Sequence, residues 1–211
     1  MKLLIGIFVI LSGSSICLRV DAQNANSTRE VAGTGGKHFY IDVHQLTPGK
    51  VKFEDVAGAH AKDLATQAKY NAHFLKYWVD EKQGLVYCLS SADDSAAVRR
   101  THADAHGLLP THIYEVIGDI ETAYKGKDPL FLDIHQVGPG KVTAKDVAAA
   151  HKEDLAVQHK HGLELVNYWF DEKNGVIFCL SHAKDSSAII KTHREAHGLV
   201  PTQILRVKEG Q

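Results

Sequence analysis

The segment AHFLKYWVDEKQGLVYCLS, residues 72–90, decides the fold because it predicts two strands joined by a tight turn. Residues 72–80 and 85–90 are rich in aromatic and branched side chains, and Lys82-Gln83-Gly84 between them is typical of a hairpin turn. The same pattern returns 91 residues later as LELVNYWFDEKNGVIFCLS, residues 163–181, in which Asn174-Gly175 is a clearer turn still. The chain therefore contains one structural unit twice.

The same elements flank this hairpin in both units, and about half of the positions compared between the units are identical. In the first unit, a strand and a helix are predicted before the hairpin and a helix and a strand after it, at residues 39–46, 53–70, 95–106 and 113–117. Asp93 and Asp94 supply an N-cap for the second helix, and Gly107 ends it. The order β-α-β-β-α-β is that of a ferredoxin-like plait, so the predicted fold class is α+β.

The predicted strands carry apolar side chains on both faces, as in the alternating residues Phe74, Leu75, Tyr77, Trp78 and Val79. The two helices of a plait cover one face of its sheet, and the other face would remain a large exposed apolar patch. We therefore expect the two tandem plaits to pack sheet against sheet about a pseudo-two-fold axis, as an intramolecular pseudo-dimer. Further oligomerisation stays open.

The units set the domain boundaries, with the first plait at residues 38–117, a linker at 118–129 and the second plait at 130–208. Residues 23–37, QNANSTREVAGTGGK, are polar and rich in small residues, which predicts a flexible lead.

Residues 1–22 have the pattern of a signal peptide. Lys2 gives a positive start, residues 3–11 form an apolar run, and Val20-Asp21-Ala22 supplies the small residues that precede a cleavage site. The apolar run is shorter than the roughly 20 residues that a bilayer-spanning helix needs, and no later run predicts one. We expect export to the periplasm or the extracellular space. Lipoprotein anchoring through Cys17 is a weaker alternative, because Ile16 is bulky where a small residue is needed.

Charge and cysteine content argue against two kinds of function. The 24 Lys and Arg residues are balanced by 25 Asp and Glu residues, so no basic surface for nucleic acid is predicted. Cys88 and Cys179 occupy equivalent places in apolar runs and are expected as small buried hydrophobic residues, with a disulfide between them as the alternative. One thiol per unit, without Cys-x-x-Cys, argues against a cysteine-based zinc site.

Histidine is abundant, and eight of the 14 histidines lie at positions that both units share. The strand directions of a plait bring the shared histidines toward one edge of each unit, together with the hairpin pair Asp80-Glu81. His102 and His106 are four residues apart on a helix and share a face. Imidazole and carboxylate without thiolate suit nickel, zinc or copper(II). The candidate metal ligands are His44, His60, Asp63, His102 and His106, with their counterparts His135, His151, Asp154, His193 and His197.

Each histidine also has a structural interpretation. His106 directly precedes a glycine and could meet the negative end of the helix dipole. His60 lies on the apolar stripe of its helix, where a hydrogen-bonded core histidine is common, and His44 could pack on the sheet face. His159 and His161 could form an additional site in the second unit only.

Four motifs in order carry a family resemblance. They are Ala59-His60-x-x-Asp63-Leu64-Ala65-x-Gln67, Tyr77-Trp78-Val79-Asp80-Glu81, Cys88-Leu89-x-x-Ala92 and Thr101-His102-x-x-Ala105-His106-Gly107-Leu108, and they recur between residues 151 and 199. In these motifs the chain resembles the domain of unknown function 4242 family. The resemblance implies ferredoxin-like units that pair as dimers, and nickel binding through histidine-rich sites. The positions that it carries over as ligands are His60, His102, His106, His151, His193 and His197.

The first hypothesis for function is an exported protein that binds a divalent transition metal, with nickel favoured and zinc or copper possible. Its partner is the metal ion, which it would sequester, sense or deliver, and binding would weaken as the imidazoles protonate near their usual pKa of about 6.5. An enzyme is the less favoured interpretation, because no nucleophile elbow, phosphate-binding loop or His-Glu-x-x-His motif occurs. The alternatives are a small enzyme of the dimeric α/β-plait type with a His-lined cavity, and a non-catalytic interaction module with structural histidines.

Overall fold

In the computed structural model of the chain, residues 37–118 and 127–211 are described. The predicted signal peptide, nearly all of the predicted lead and most of the predicted linker lie outside these residues.

Both described halves have the element order β-α-β-β-α-β. The first half consists of β1 (His38–Gln45), α1 (Phe53–Thr66), β2 (His73–Asp80), β3 (Leu85–Ala92), α2 (Ser95–Ala105) and β4 (His112–Gly118). The second consists of β5 (Leu130–Gln136), α3 (Ala144–Val157), β6 (Leu163–Asp171), β7 (Val176–Ala183), α4 (Ser186–Ala196) and β8 (Gln203–Gly210). The prediction of an α+β protein with two similar halves is confirmed. The helix predicted over residues 53–70 is α1 followed by a 3-10 turn at Gln67–Tyr70.

The strands of each half pair in antiparallel fashion, in the order β4-β1-β3-β2 and β8-β5-β7-β6. Two seams join the halves. At one seam β4 pairs with β6, where Ile117 lies opposite Phe170. At the other, β8 pairs with β2, where Gly210 lies opposite Tyr77. The described strands therefore close into one barrel.

This closure differs from the sequence-based expectation of two sheets packed face to face. The sheets join edge to edge by hydrogen bonds, which gives the outer strands of both halves a partner. The second seam also explains why β8 extends to Gly210, beyond the predicted end at residue 208. The apolar inner faces of both halves consequently enclose one interior.

The barrel interior is a single hydrophobic core shared by both halves. Trp78 and Trp169 meet at its centre, fully buried, with ring centroids 5.2 Å apart. Ile41, Leu89 and Leu132 belong to the same core and are also fully buried. Burial of each such side chain stabilises the fold by about 1.5–3 kcal/mol.

The helices pack on the outer face of the barrel, where each half has its own smaller cores. On β1, Ile41 and Val43 belong to the barrel interior, whereas Tyr40 belongs to a core with Ala97 and Val98 of α2. Because side chains alternate along a strand, Asp42 and His44 point to the helix side together with Tyr40. No helix among the described residues is long and apolar enough to cross a bilayer.

Candidate metal centre

The layer between the barrel wall and its helices holds a cluster of titratable side chains in each half. In the first half, Asp63 of α1 meets His102 of α2 and His106, the residue at the end of α2. Asp63 Oδ1 lies 3.0 Å from His102 Nδ1, and Asp63 Oδ2 lies 3.3 Å from His106 Nε2. The two imidazole nitrogens are 3.2 Å apart. We call these three residues the helix site.

The second half repeats the helix site with Asp154, His193 and His197. His193 Nδ1 lies 3.0 Å from Asp154 Oδ1, and His197 Nε2 lies 3.2 Å from Asp154 Oδ2. The two imidazole nitrogens are 3.4 Å apart. Two nitrogens and a carboxylate oxygen therefore converge at equivalent places in both halves, close enough together to hold one metal ion.

A buried carboxylate on the strand side supports each helix site. In the first half, Asp42 Oδ1 lies 3.2 Å from His102 Nε2 and 3.0 Å from His44 Nε2. Asp42 is completely buried, and its second oxygen has no hydrogen-bond partner among the described residues. His102 is thus held between two carboxylates, Asp42 at one ring nitrogen and Asp63 at the other.

The strand side of the second half has the same arrangement with looser distances. Asp133 Oδ1 lies 3.1 Å from His135 Nε2 and 3.4 Å from His193 Nε2, and the longer contact is an ion pair without the geometry of a hydrogen bond. Asp133 is completely buried, as Asp42 is. Each half therefore has a chain of alternating imidazoles and carboxylates that runs from the first strand to the end of the second helix.

The carboxylates keep the central imidazoles charged despite their burial. Burial by itself lowers the pKa of His102, but hydrogen bonds and charge attraction from Asp42 and Asp63 outweigh it and raise this pKa to about 9. The same opposition raises the pKa of His193 to about 9. At neutral pH both central imidazoles are therefore protonated.

The neighbouring carboxylates shift in the opposite direction. Burial raises the pKa of Asp42 and Asp63, but hydrogen bonds from the imidazoles outweigh it and hold both below the usual value. In the second half, the same balance lowers the pKa of Asp154 to about 2, and that of Asp133 is lowered as well. These carboxylates are consequently ionised and can act as oxygen ligands.

The candidate ligands His60 and His151 are not among the side chains whose ligand atoms converge. The His60 ring packs against Tyr77 with centroids 4.8 Å apart, and neither ring nitrogen has a hydrogen-bond partner among the described residues. His151 packs in the same way on Tyr168, at 4.5 Å. Burial is the largest effect on both imidazoles and lowers their pKa, so both are neutral at pH 7. The geometry favours a packing role for this pair.

The hairpin pair Asp80-Glu81 does not reach the helix site. Asp80 Oδ1 accepts a hydrogen bond from the backbone N–H of Gln83 at 2.9 Å and holds the β2–β3 turn. Glu81 Oε1 accepts from the N–H of Phe53 at 2.9 Å and from Lys208 Nζ at 2.7 Å. The sequence predicts this pair at the same edge as the histidines, but its hydrogen bonds go to the turn, the start of α1 and the seam.

Asp42 and Asp133 were missing from the sequence-based candidates, although the chain carries a signal for them. They lie in the runs Ile41-Asp42-Val43-His44 and Leu132-Asp133-Ile134-His135. An acidic residue inside an apolar strand, two positions before a histidine, shares that histidine's face. Its presence in both units distinguishes it from a surface charge.

Cys88 and Cys179 are free and buried, so the disulfide alternative does not hold. Cys88 lies opposite Asp42 in the β1–β3 register, and its sulfur is within 4.8 Å of ligand atoms of Asp42 and His44. Burial is the largest effect on the Cys88 thiol and raises its pKa well above the usual value, so the thiol stays protonated.

Solved structures of two kinds are among those that match this chain. A crystal structure of SCO4226 from Streptomyces coelicolor A3(2) matches with 35% sequence identity and a TM-score of 0.35, over 36% of this chain and 93% of its own. A mutant chlorite dismutase from Candidatus Nitrospira defluvii matches with 6% identity and a TM-score of 0.49, over 83% of this chain and 91% of its own. A search among curated proteins finds no match.

The family assignment comes from a model for the nickel-responsive protein SCO4226-like family, which matches twice. The matched residues are 40–116 and 131–207, one copy in each half and most of the described chain. The resemblance predicted from the four sequence motifs is thereby confirmed, including its tandem repetition. The chain belongs to the SCO4226-like family of nickel-responsive proteins.

Proposed function

We propose that this protein binds a divalent transition metal, with nickel favoured over zinc and copper, at one helix site in each half. The observation that carries the proposal is the duplicated convergence of one carboxylate and two imidazoles on the same ligand-sized space. Imidazole nitrogen and carboxylate oxygen are ligand types that suit nickel, zinc and copper(II). The family description as nickel responsive supports the choice of nickel.

In this proposal the residues of the first half divide into ligands and supports. Asp63 Oδ2, His102 Nδ1 and His106 Nε2 supply the ligand atoms. Asp42 accepts the other N–H of His102, and a carboxylate in this position orients a ligating histidine and raises its basicity. The bound ion would supply the positive charge that the His102 imidazolium now provides between the two carboxylates.

Because His102 is protonated at pH 7, the ion has to displace a proton from Nδ1. Apparent affinity should therefore rise as the pH increases from about 6.5 toward 9, by up to roughly tenfold per pH unit for one displaced proton. This range lies above the one expected from an ordinary histidine.

The test is titration calorimetry of the mature chain, without an affinity tag, with nickel, zinc and copper salts. We expect two ions per chain. Asp63→Asn should remove the first site and Asp154→Asn the second, while Asp104→Asn is the matched control, because Asp104 is an exposed carboxylate that pairs with Lys69. Absence of saturable binding, or full binding by the Asp63→Asn/Asp154→Asn double variant, would contradict the proposal.

The same geometry bears on the enzyme alternative. That alternative needs an open, histidine-lined cavity between sheet and helices. In the described residues this layer holds rings in direct contact. The ring centroids of Phe74 and His102 are 4.8 Å apart, and those of Tyr77 and His60 are also 4.8 Å apart. The arrangement favours binding of an ion over binding of an organic substrate at this position.

We also propose that the protein is exported, on the basis of the signal-peptide pattern in residues 1–22. Expression of the full sequence in a bacterial host and N-terminal sequencing of the exported product should give a chain that begins at Gln23. Recovery of an uncleaved chain in the cytoplasm would contradict this part of the proposal.

A further inference from the structure

His106, the member of the helix site at the end of α2, also contacts the backbone that follows it. His106 Nδ1 accepts a hydrogen bond from the N–H of Leu108 at 3.1 Å. In the second half, His197 Nδ1 accepts from the N–H of Leu199 at 3.2 Å. The contact is therefore built into both halves.

This contact fixes which ring nitrogen of His106 carries hydrogen. A neutral imidazole has one N–H, and Nδ1 cannot carry it while it accepts from Leu108. The hydrogen is therefore on Nε2, which lies 3.2 Å from Asp63 Oδ1 and 3.3 Å from Asp63 Oδ2 and donates to that carboxylate. In this state His106 has no free lone pair for an ion beside Asp63.

Binding of an ion through Nε2 reverses this arrangement. The ion takes the Nε2 lone pair, so the single ring hydrogen moves to Nδ1. Nδ1–H then faces the N–H of Leu108, and the hydrogen bond is lost because both groups are donors.

We propose that metal binding breaks the hydrogen bond between the Leu108 N–H and His106, and likewise that between the Leu199 N–H and His197, and so moves the segments at residues 107–109 and 198–200. The inference rests on the proposed function and adds a conformational response to it.

The local structure allows this movement. Gly107 has a φ of 80°, and no atom lies within 4 Å of the place where a side chain would begin. Leu108 and Leu109 are each 49% exposed, so little packing opposes a shift of the segment. The segment is anchored again at Pro110, which is buried and whose carbonyl accepts from Arg99 at 3.4 Å, and at Thr111, whose N–H donates to the carbonyl of Val43 at 2.7 Å. Metal binding at the buried site would thus change the position of a short exposed apolar segment.

The test is nuclear magnetic resonance of the isotope-labelled mature chain, without metal and with saturating zinc, which is diamagnetic. Ring nitrogen–hydrogen correlations of His106 and His197 should show hydrogen on Nε2 without metal and on Nδ1 with zinc. The amide hydrogens of Leu108 and Leu199 should lose the shift caused by the hydrogen bond and exchange with solvent roughly fivefold faster. The amides of Thr111 and Thr202, which donate to Val43 and Ile134, are matched controls and should stay unchanged.

Two outcomes would overturn the inference and can be told apart. Calorimetry could detect zinc binding while the ring hydrogens and the two leucine amides do not change. In that case His106 remains a donor to Asp63, the inference fails, and metal binding through Asp63 and His102 still holds. If calorimetry detects no zinc, nickel or copper, the proposed function fails together with the inference.

Discussion

His102 and His193 are the central residues of the two sites, because each imidazole lies between two buried carboxylates. A buried imidazolium alone would be costly, and two buried carboxylates alone would be costlier still. Together they compensate one another's charge across nitrogen–oxygen distances of 3.0 to 3.4 Å. The side chains that the fold brings together therefore stabilise one another electrostatically even without a bound ion.

Asp42 should act on the metal through His102 and not as a ligand itself. In an Asp154→Asn background, which leaves only the first site, Asp42→Asn should weaken metal affinity by roughly 10- to 100-fold, because an amide holds the His102 N–H without adding negative charge. Calorimetry gives the affinity, and Glu115→Gln, at an exposed carboxylate that pairs with His38, is the control. Unchanged affinity in the Asp42 variant would rule out this positioning role.

The raised pKa values of His102 and His193 predict how the stability of the metal-free protein depends on pH. A group whose pKa is higher in the folded state stabilises fully below its unfolded pKa of about 6.5. That contribution is then lost as the pH rises toward the folded value of about 9. In the presence of a chelator, urea unfolding should give a lower free energy at pH 8 than at pH 6.5.

The His102→Gln/His193→Gln double variant serves as the control for this dependence. It should be less stable at both pH values, since it leaves carboxylates buried without a counter-charge, but it should lack the fall between them. A wild-type stability that is constant from pH 6.5 to 8 would mean that the two imidazoles are not protonated in the folded chain.

At the scale of elements, helix ends and turns follow local rules that the sequence displays. Asp94 is the N-cap of α2 and accepts from the N–H of Ala97 at 2.6 Å, as predicted. Asp93, predicted to share that role, instead accepts from Asn71 Nδ2 at 2.7 Å and ties the loop before β2 to the start of α2. Asp185 caps α4 at the equivalent place.

At the hairpin turn of the second half, glycine is required both by a positive φ angle and by the close approach of a neighbouring backbone carbonyl. Gly175 has a φ of 64°, and a Cβ there would lie 2.0 Å from the carbonyl oxygen of Gly138. Gly140 has a φ of 67° but no atom within 4 Å of its Cβ position. Gly175→Ala should therefore cost about 3 kcal/mol or more, and Gly140→Ala only about 1–2 kcal/mol from left-handed strain. Urea unfolding of both variants measures the difference, and equal losses would contradict the close approach.

At the scale of the whole molecule, the barrel depends on two seams that no single half can form. Across one of them, Glu209 of β8 accepts hydrogen bonds from Trp78 Nε1 and Lys76 Nζ, both at 2.9 Å. Lys208 reaches Glu81 across the same seam. Buried residues of both halves form the barrel interior, so one half alone would expose its own share of this core to water.

An isolated second half, residues 127–211, should therefore associate into a homodimer that closes the barrel with two copies. Its β6 and β8 would otherwise be open edges, and Trp169 and Phe178 would face water. Light scattering after size-exclusion chromatography gives the mass, with the full mature chain, which closes its own barrel, as the comparison. A folded monomeric half would contradict the dependence on the seams.

The sequence by itself determined the repeated element order and named most residues of the candidate site. Strand alternation, turn glycines and helix caps act over a few residues, so they can be recognised without the fold. Comparison of the two units then singled out His44, His102, His106 and Asp63 with their counterparts. The family motifs pointed to the same region but included His60, whose ring packs against Tyr77 and forms no hydrogen bond with the carboxylates among the described residues.

Only the tertiary structure decided which of these groups meet and how the halves close. His102 lies 60 residues after Asp42 and 39 after Asp63, so their contacts depend on strand register and on helix packing across the sheet. The closed barrel likewise depends on the edges of two halves whose facing strands are far apart in sequence. Short-range patterns define the elements, whereas the long-range contacts that create the charged site and the seams exist only in the folded chain.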